Sequence, residues 1–255
     1  MKKVVVLLIL TLGILKASAI SLQNETLNYK VLYKWGLVQK QAGTARLTLA
    51  KQNGHYTAKL IARSDKWADK FYKLRDTLIS KMDERDILPV SYERIANENG
   101  NYARDIIKIE RKVGVENGTV KGSATRIRRK KNATETTENT IELLAEGTTV
   151  DMLSAFYYIR SLDFNKMQPG YTKKINIFSG KKKELLTIKY IGNETIDLDG
   201  KKYPTYKISF IFTSDGKKKS SDDIETWIWA NDRKIPLKME GKLKVGKIRC
   251  LYTGQ

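Results

Sequence analysis

Apolar and polar residues alternate with a period of two along most of this chain. The first clear run spans residues 27–35, where every second residue is apolar, and similar runs follow at 43–49 and 56–62. Such alternation predicts β-strands with one apolar face. Asn53-Gly54 separates the second and third runs, and this dipeptide tolerates the positive φ angles of a two-residue hairpin turn. The sequence therefore predicts an antiparallel hairpin across residues 43–62.

The same signals recur in the rest of the chain. Asn-Gly pairs at 99–100 and 117–118 and Asp-Gly pairs at 199–200 and 215–216 mark further turns. Alternating runs predict the remaining strands near residues 90–96, 102–113, 119–128, 171–178, 184–190, 203–213, 224–230, 235–244 and 247–252. We therefore predict a mainly β fold, an antiparallel curled sheet or half-barrel of roughly a dozen strands with one or two short helices.

Three segments depart from the alternation. Residues 64–72 predict a short helix, because Trp67 and Phe71 stand one turn apart on one helical face. Residues 151–160 predict a clearer helix with Asp151 as its N-cap, and we expect it to pack on the sheet and close one end of a barrel-like core. Residues 130–139 are rich in Lys, Thr, Asn and Glu. We interpret them as an exposed loop within one continuous sheet, not as a domain boundary.

The first nineteen residues have the three parts of a secretory signal peptide. Two lysines precede an apolar stretch at 4–15, and small residues stand at Ala17 and Ala19. The apolar stretch is too short to span a bilayer as a stable helix. A buried core strand or an uncleaved anchor is the alternative. We predict a signal peptide at 1–19 and a single β-rich exported domain at 20–255, periplasmic or secreted and soluble after signal cleavage.

The chain is strongly basic, with 48 Lys and Arg residues, 28 Asp and Glu residues and a formal charge of +20. Loss of Lys2, Lys3 and Lys16 with the signal leaves +17. This charge favours an anionic partner. Outside the cytoplasm such a partner would be a lipid, lipopolysaccharide or an acidic envelope polymer, and we predict no nucleic acid. A surface that is lysine-rich only for solubility is the alternative.

The basic residues are concentrated beside predicted turns. They form clusters at 126–131, 173–174, 181–183, 201–202 and 217–219. Lysines at strand ends commonly block the pairing of one sheet edge with another. If several of these turns gather at one end of the sheet, they would instead form a basic rim able to hold an anionic headgroup.

Catalytic and metal-binding signals are scarce. Cys250 is the sole cysteine and His55 the sole histidine, so the sequence offers neither a Cys/His metal cluster nor a histidine near a nucleophile. No glycine-rich phosphate loop occurs. We predict no metal, no cofactor, no internal disulfide and no reactive thiol at Cys250. A hydrolase with paired carboxylates stays open, because 28 acidic residues allow many pairs.

Several segments resemble, in the same order, the bacterial exported family known as domain of unknown function 3108. The segments are 29–35 with 42–45, 71–76 with Asp83, 151–160, and 227–229 with 232–236 and Gly246. The most specific is 151–160, which is similar to the family's Asp-x-x-Ser-aromatic-x-Arg helix. The resemblance implies an exported, mostly β protein, whose architecture is similar to the curled half-barrels that bind acyl chains on a concave face. It implies no established activity.

Two hypotheses follow for the function. The first is a non-enzymatic periplasmic protein that binds a lipid or another amphiphilic envelope molecule in a concave apolar cavity. The second is an enzyme that acts on an envelope glycan or polymer with paired carboxylates. An outer-membrane barrel is less favoured, because charges occupy both faces of the strands and the chain does not end on an aromatic residue.

The candidate residues come from the helix, the Arg-Asp segment and the C-terminal strands. The candidate ligand-binding or motif residues are Arg75, Asp76, Asp151, Ser154, Tyr157, Arg160, Trp227, Trp229 and Arg233. The charged members have a second interpretation as structural ion pairs, since charged side chains at strand and helix ends commonly pair or cap. The sequence leaves the oligomeric state open.

Overall fold

A computed structural model describes residues 22–115, 117–214, 217–218, 224–243 and 245–254. The predicted signal peptide and the Asp215-Gly216 turn lie outside the described residues. Within these ranges the chain forms sixteen strands, one α-helix and two single-turn 3-10 helices, at Ala68–Lys70 and Phe164–Lys166. The elements are β1 (Glu25–Trp35), β2 (Val38–Gln52), β3 (His55–Ser64), β4 (Leu74–Asp83), β5 (Pro89–Glu98), β6 (Asn101–Glu110), β7 (Thr119–Arg129), β8 (Thr137–Glu146), β9 (Thr149–Asp151), α1 (Ser154–Ser161), β10 (Thr172–Phe178), β11 (Lys183–Leu198), β12 (Lys201–Ser214), β13 (Lys217–Lys218), β14 (Ile224–Trp229), β15 (Pro236–Lys242) and β16 (Lys247–Gly254).

All sixteen strands belong to one sheet. Their order is β8-β7-β6-β5-β4-β3-β2-β1-β16-β15-β14-β12-β11-β10-β9, with β13 beside β12. Neighbours are antiparallel except β9 and β10, which run parallel. The two edges meet where β8 leads into β9: on β10, Asn176 donates its backbone N–H to Thr148 O at 2.9 Å and its side-chain amide to Glu146 O at 2.7 Å. The sheet is therefore a nearly closed barrel.

The prediction of a mainly β antiparallel fold is confirmed, but the strand count is larger than predicted. The segment that became β4 was not predicted as a strand, and the predicted loop at 130–139 is shorter, because β8 already begins at Thr137. Asn53-Gly54 and Asn99-Gly100 form the predicted two-residue turns with positive φ at both positions. Asn117-Gly118 does not, since a longer connection joins β6 to β7.

The predicted helices differ in length from those observed. The helix predicted at 64–72 is only the turn Ala68–Lys70, although the rings of Trp67 and Phe71 do meet edge to face at 6.2 Å. The second helix begins at Ser154 rather than Asp151, because Asp151 is the last residue of β9. The Asp151 carboxylate nevertheless accepts hydrogen bonds from backbone N–H groups at the start of α1, which is the role predicted for it.

Helix α1 lies against two parts of the apolar core. Leu153, just before it, and Tyr157 belong to a cluster drawn mainly from β1 to β8, with further residues of β10, β11, β14 and β15, whereas Ala155 and Ile159 belong to a cluster drawn mainly from β9 to β12 and β14. Five of the eight residues of this helix are buried. The interior therefore closes around α1 from two sides.

The connections between strands fall alternately at two ends of the barrel. We call the end at which β1 begins the helix end, because α1 reaches Glu25 there through Arg160. We call the opposite end the distal end. From the antiparallel order, the connections β1–β2, β3–β4, β5–β6, β7–β8, β10–β11 and β15–β16 turn at the distal end.

Replacing Gly122 with alanine is expected to lower the free energy of unfolding by about 1–3 kcal/mol, because overpacking forces neighbours to move. A Cβ at Gly122 would lie 2.8 Å from the ring of Phe178 on β10, which is fully buried. Gly241→Ala is the matched control, since its Cβ would meet nothing nearer than 3.7 Å. Urea denaturation of both variants checks the prediction, and equal midpoints would contradict it.

Candidate functional site

Charged side chains occupy the interior face of β4 to β7, near the distal end. The register places Leu78, Arg94, Asp105 and Arg126 in one row across the four strands. A neighbouring row on the same face holds Ser80, Tyr92, Ile107 and Ala124, and these residues are completely or almost completely buried. Residues that pair directly across strands share a face of the sheet, as do residues two apart along a strand. The charged row therefore points into the barrel.

We define the interior polar cluster as seven residues of this face. It consists of Asp76, Tyr92, Arg94, Glu98, Asp105, Arg126 and Arg128. Its members are held by β4, β5, β6 and β7.

One half of the interior polar cluster is centred on Arg94. Its guanidinium donates to Asp76 Oδ2 at 2.8 Å and also to Glu98, which lies four residues further along β5. The hydroxyl of Tyr72, in the β3–β4 connection, donates to Glu98. Asp76 Oδ1 is buried and has no hydrogen-bond partner. One arginine thus serves two carboxylates that lie close together.

The proximity of these carboxylates shifts their pKa values in opposite directions. Burial raises the pKa of Asp76, and the neighbouring Glu98 adds to the rise, although Arg94 opposes it. Burial also acts on Glu98, but hydrogen bonding from Tyr72 and the charge of Arg94 outweigh it and lower the pKa of Glu98. Both shifts favour Asp76 over Glu98 as the carboxyl that carries a shared proton.

The other half is centred on Asp105, which two arginines of β7 approach. Arg128 donates to Asp105 Oδ1, and Arg126 Nε lies 3.5 Å from the same oxygen without forming a hydrogen bond. Gly180 packs directly on the Asp105 side chain, because a Cβ there would lie 2.9 Å from it. The β10–β11 connection, which carries Lys181, therefore lies beside β6 and β7. Two of the basic clusters recognised in the sequence, at 126–131 and 181–183, meet at this place.

Asp151 lies deeper in the interior, toward the helix end. Its Oδ1 accepts hydrogen bonds from the backbone N–H groups of Leu153 and Ser154 at 2.7 and 2.8 Å, and its Oδ2 accepts from Ser80 Oγ at 2.6 Å. Ser154 Oγ in turn accepts from the backbone N–H of Asp151 at 2.8 Å. Complete burial raises the pKa of Asp151 to about 6 even though these hydrogen bonds oppose the rise.

Tyr92, a member of the interior polar cluster, lies next to the Asp151 site. It lies opposite Ser80 on β4, and its hydroxyl is buried without a hydrogen-bond partner. Burial raises the pKa of Tyr92, and the charges that act on its hydroxyl are those of Asp151, Arg94, Asp105 and Asp76. Buried hydroxyls are normally hydrogen-bonded. The unused donor of Tyr92 therefore faces a group of charged side chains.

Arg160 and Arg233 meet at the helix end instead. The Arg160 guanidinium pairs with Glu25 of β1 and donates through Nε and Nη2 to the backbone carbonyl of Arg233 at 3.1 and 3.0 Å. Arg233 Nη2 lies 3.3 Å from the same Glu25 carboxylate. The fully buried ring of Tyr157 lies 5.4 Å from the Arg160 guanidinium. These residues tie α1 to β1 and to the β14–β15 connection.

The remaining candidate residues lie apart from both groups. Arg75 lies on the opposite face of β4 from Asp76 and forms an ion pair with Asp69, in which Arg75 Nη2 is 2.7 Å from Asp69 Oδ2. Trp227 is buried, with the ammonium groups of Lys207 and Lys238 at 4.7 and 3.8 Å from its ring. Trp229 meets the ring of Tyr203 edge to face at 5.2 Å. The nine candidates thus do not form a single site.

Sequence reasoning missed Glu25, Ser80, Tyr92, Arg94 and Asp105 as members of these groups. Arg94 could have been recognised from the sequence, because in the alternating pattern of β5 it lies on the same face as Tyr92 and Ala96, which are buried. A charged residue on that face requires a partner inside the fold. Glu25 carried no such signal, since its partner lies 135 residues away.

Other chemistry on the described residues is limited. They include no group of three or more His, Cys, Asp or Glu side chains arranged to hold a metal ion. Burial raises the pKa of the Cys250 thiol to about 11, which disfavours the reactive thiolate. Among the same residues, no helix is both long enough and apolar enough to cross a membrane.

Two depressions of the described surface lie outside the interior. One, of about 320 Å³, is lined by Lys34, Gly36, Lys242, Leu243, Gly246 and Lys247 at the distal end. The other, of about 260 Å³, lies between Asn165, Asn193 and Tyr206. Neither contains residues of the interior polar cluster.

Comparison with known proteins places this arrangement in a family. No curated protein matches the chain. Among solved structures, the chain is similar to a "beta-barrel-like protein of domain of unknown function DUF1849" from Brucella abortus, with a TM-score of 0.58 and 12% identity over 92% of this chain and 98% of that one. At that identity the likeness extends to the fold alone. The model of the family described as "Protein of unknown function (DUF3108)" matches residues 28–251, which include the interior polar cluster and both ends of the barrel. The chain therefore belongs to the DUF3108 family.

Proposed function

We propose that this protein is a non-enzymatic, exported binding protein of the cell envelope that holds the anionic headgroup of an amphiphile at the distal end of the barrel. The observation that carries the proposal is the interior polar cluster. One interior face holds three arginines and two buried donors without a hydrogen-bond partner, the Tyr92 hydroxyl and Arg126 Nε.

The electrostatics of this region favour an anionic ligand. Arg94, Arg126 and Arg128 are balanced by three carboxylates within the cluster, and burial raises the pKa of one of these, Asp76, which favours its neutral form. The adjacent connection adds Lys181 and its basic neighbours. Guanidinium groups bind phosphate and carboxylate oxygens through short charge-assisted hydrogen bonds. A headgroup that bears phosphate would therefore satisfy both the arginines and the unused donors.

The alternative of a hydrolase with paired carboxylates finds less support. Asp76 and Glu98 are the clearest carboxylate pair of the interior, but both accept a hydrogen bond from the same nitrogen of Arg94, which holds them close together. Glycosidases keep their two carboxyl groups roughly 5–9.5 Å apart, so that sugar and water fit between them. The close pair resembles a proton-sharing dyad more than it resembles that arrangement.

Short-chain phosphatidylglycerol, below its micelle concentration, is expected to bind the mature protein, and Arg128→Met is expected to weaken this binding about tenfold or more through loss of a charge-assisted contact. Isothermal titration calorimetry measures both affinities. Arg104→Met is the matched control, because Arg104 neighbours Asp105 on β6 but points to the other face and pairs with Glu93 at 2.6 Å. Its affinity should equal that of the wild type.

Two further titrations show which part of the lipid is needed for binding. Inorganic phosphate tests whether the anion alone suffices, and short-chain phosphatidylcholine tests whether net negative charge is needed. Absence of binding by every probe, or an equal loss in the Arg104 and Arg128 variants, would refute the proposal.

A further inference from the structure

Large apolar side chains are exposed together at the distal end. They lie in three connections, β1–β2, β3–β4 and β15–β16, and Leu37 and Phe71 are the most exposed of them. We call this set the apolar tips. It consists of Trp35, Leu37, Val38, Phe71, Tyr72, Leu243 and Val245. Single exposed apolar residues are common on proteins, but such a group at one end of a barrel marks an interaction surface.

The three connections form one surface because their strands are neighbours. In the sheet, β15, β16, β1, β2, β3 and β4 follow one another without interruption. Trp67 Nε1, in the β3–β4 connection, donates to Gln41 O of β2 at 2.6 Å, and the Lys40 ammonium lies 4.4 Å from the Trp67 ring. On the other side, the Tyr33 hydroxyl donates to Val245 O at 3.1 Å. The apolar tips are therefore fixed relative to one another by contacts at their bases.

The side chains around the apolar tips are mostly cationic. Six lysines lie in or directly beside the three connections, namely Lys34, Lys40, Lys66, Lys70, Lys73 and Lys242. The acidic residues there are fewer, and Asp69 is already paired with Arg75 at 2.7 Å. The surface thus combines exposed aromatic and aliphatic side chains with positively charged lysines around them.

We propose that the apolar tips dock this protein on an anionic lipid bilayer. Tryptophan and tyrosine rings favour the headgroup region of a membrane, and aliphatic side chains next to them enter the acyl boundary. Lysines set back from the tips remain at the level of the headgroups, where anionic lipids attract them. Separate points on three hairpins suit a deformable lipid surface better than the flat face of a folded partner. This proposal does not depend on the proposed function, because the apolar tips and the interior polar cluster are tested by different variants.

Sedimentation of the mature protein with lipid vesicles tests the docking. The wild type is expected to sediment with vesicles that contain phosphatidylglycerol, less with pure phosphatidylcholine vesicles, and less again when salt is raised. Leu37→Asp combined with Val38→Asp is expected to weaken binding at least tenfold, and Lys40→Glu combined with Lys242→Glu is expected to weaken binding only to the anionic vesicles. Val115→Asp is the control, since Val115 is also an exposed apolar residue but lies in the β6–β7 connection at the helix end.

The outcomes are decisive because all substituted side chains are exposed. Circular dichroism melting curves should be unchanged, which keeps a loss of binding separate from a loss of folding. Equal loss in the Val115 variant, or no binding to anionic vesicles, would overturn the proposal. A dimer in solution that the Leu37/Val38 double variant abolishes would also overturn it and would assign the surface to a second copy of the chain.

Discussion

Replacing Arg160 with methionine is expected to lower the free energy of unfolding by about 3–5 kcal/mol, the cost of leaving one partner of a buried ion pair alone. The side chains of Arg160 and Glu25 are 3% and 5% exposed. Without the guanidinium, the Glu25 carboxylate would keep only the partly exposed Arg233 at 3.3 Å. The backbone carbonyl of Arg233 would lose both of its donors from Arg160. Urea denaturation, followed by circular dichroism, measures the change.

Two further variants show whether the loss comes from the unpaired charge. Asp199→Asn breaks the exposed pair with Lys30, at 3.2 Å, and should change the free energy of unfolding by less than about 1 kcal/mol. Adding Glu25→Gln to Arg160→Met should restore part of the lost stability, because it removes the stranded carboxylate. An Arg160→Met protein within about 1 kcal/mol of the wild type would contradict the prediction.

The strand pattern could be predicted wherever the interior face of the strand is apolar. β1 and β3 alternate cleanly, and the Asn-Gly turns after β2 and β5 have the backbone conformation that this dipeptide favours. β4 was missed because its interior face carries Asp76 and Ser80 in addition to Leu78 and Met82. The polar residues that form the site thus also interrupt the apolar alternation from which the strand would have been predicted.

β8 was missed for a different reason. It is an edge strand, and its first four residues, Thr137 to Thr140, are polar and exposed. Edge strands often carry polar residues on both faces, which prevents pairing with other chains but also erases the alternation. Sequence reasoning therefore interpreted its beginning as a loop.

The composition of the two polar groups could not be predicted, because their contacts are long-range. Glu25 and Arg160 are brought together only when β1 and α1 meet at the helix end. Asp151 and Ser80 lie 71 residues apart and meet only when β9 packs inside the barrel. The motif at 151–160 was recognised as a unit, yet its two ends serve different places: Asp151 faces the interior, and Arg160 faces β1.

Asp151 gives the stability of this protein a pH dependence that Asp151→Asn is expected to remove. The folded pKa of about 6 lies above the ordinary aspartate value of 3.8, so the folded state binds more protons than the unfolded state between these two values. The ionised carboxylate therefore lowers stability, fully above about pH 6 and not at all below the unfolded pKa. Relative to the variant, the wild type should gain about 1–2 kcal/mol of stability when the pH falls from about 7.5 to about 5.

Asparagine suits this test because it preserves the hydrogen bonds at the site. Its Oδ1 can accept from the N–H groups of Leu153 and Ser154 as the carboxylate does, and its amide nitrogen can donate to Ser80 Oγ, which the carboxylate now accepts from. The free energy of unfolding is measured by urea denaturation across this pH range, and other titrating groups cancel in the difference between the two proteins. Asp163→Asn is the control, because Asp163 is exposed and its pKa is lowered by Lys166, so its difference from the wild type should not fall as the pH rises. A wild type and an Asp151→Asn variant that respond identically to pH would mean that the carboxylate is ionised at no cost to stability, and that its three hydrogen bonds compensate fully for its burial.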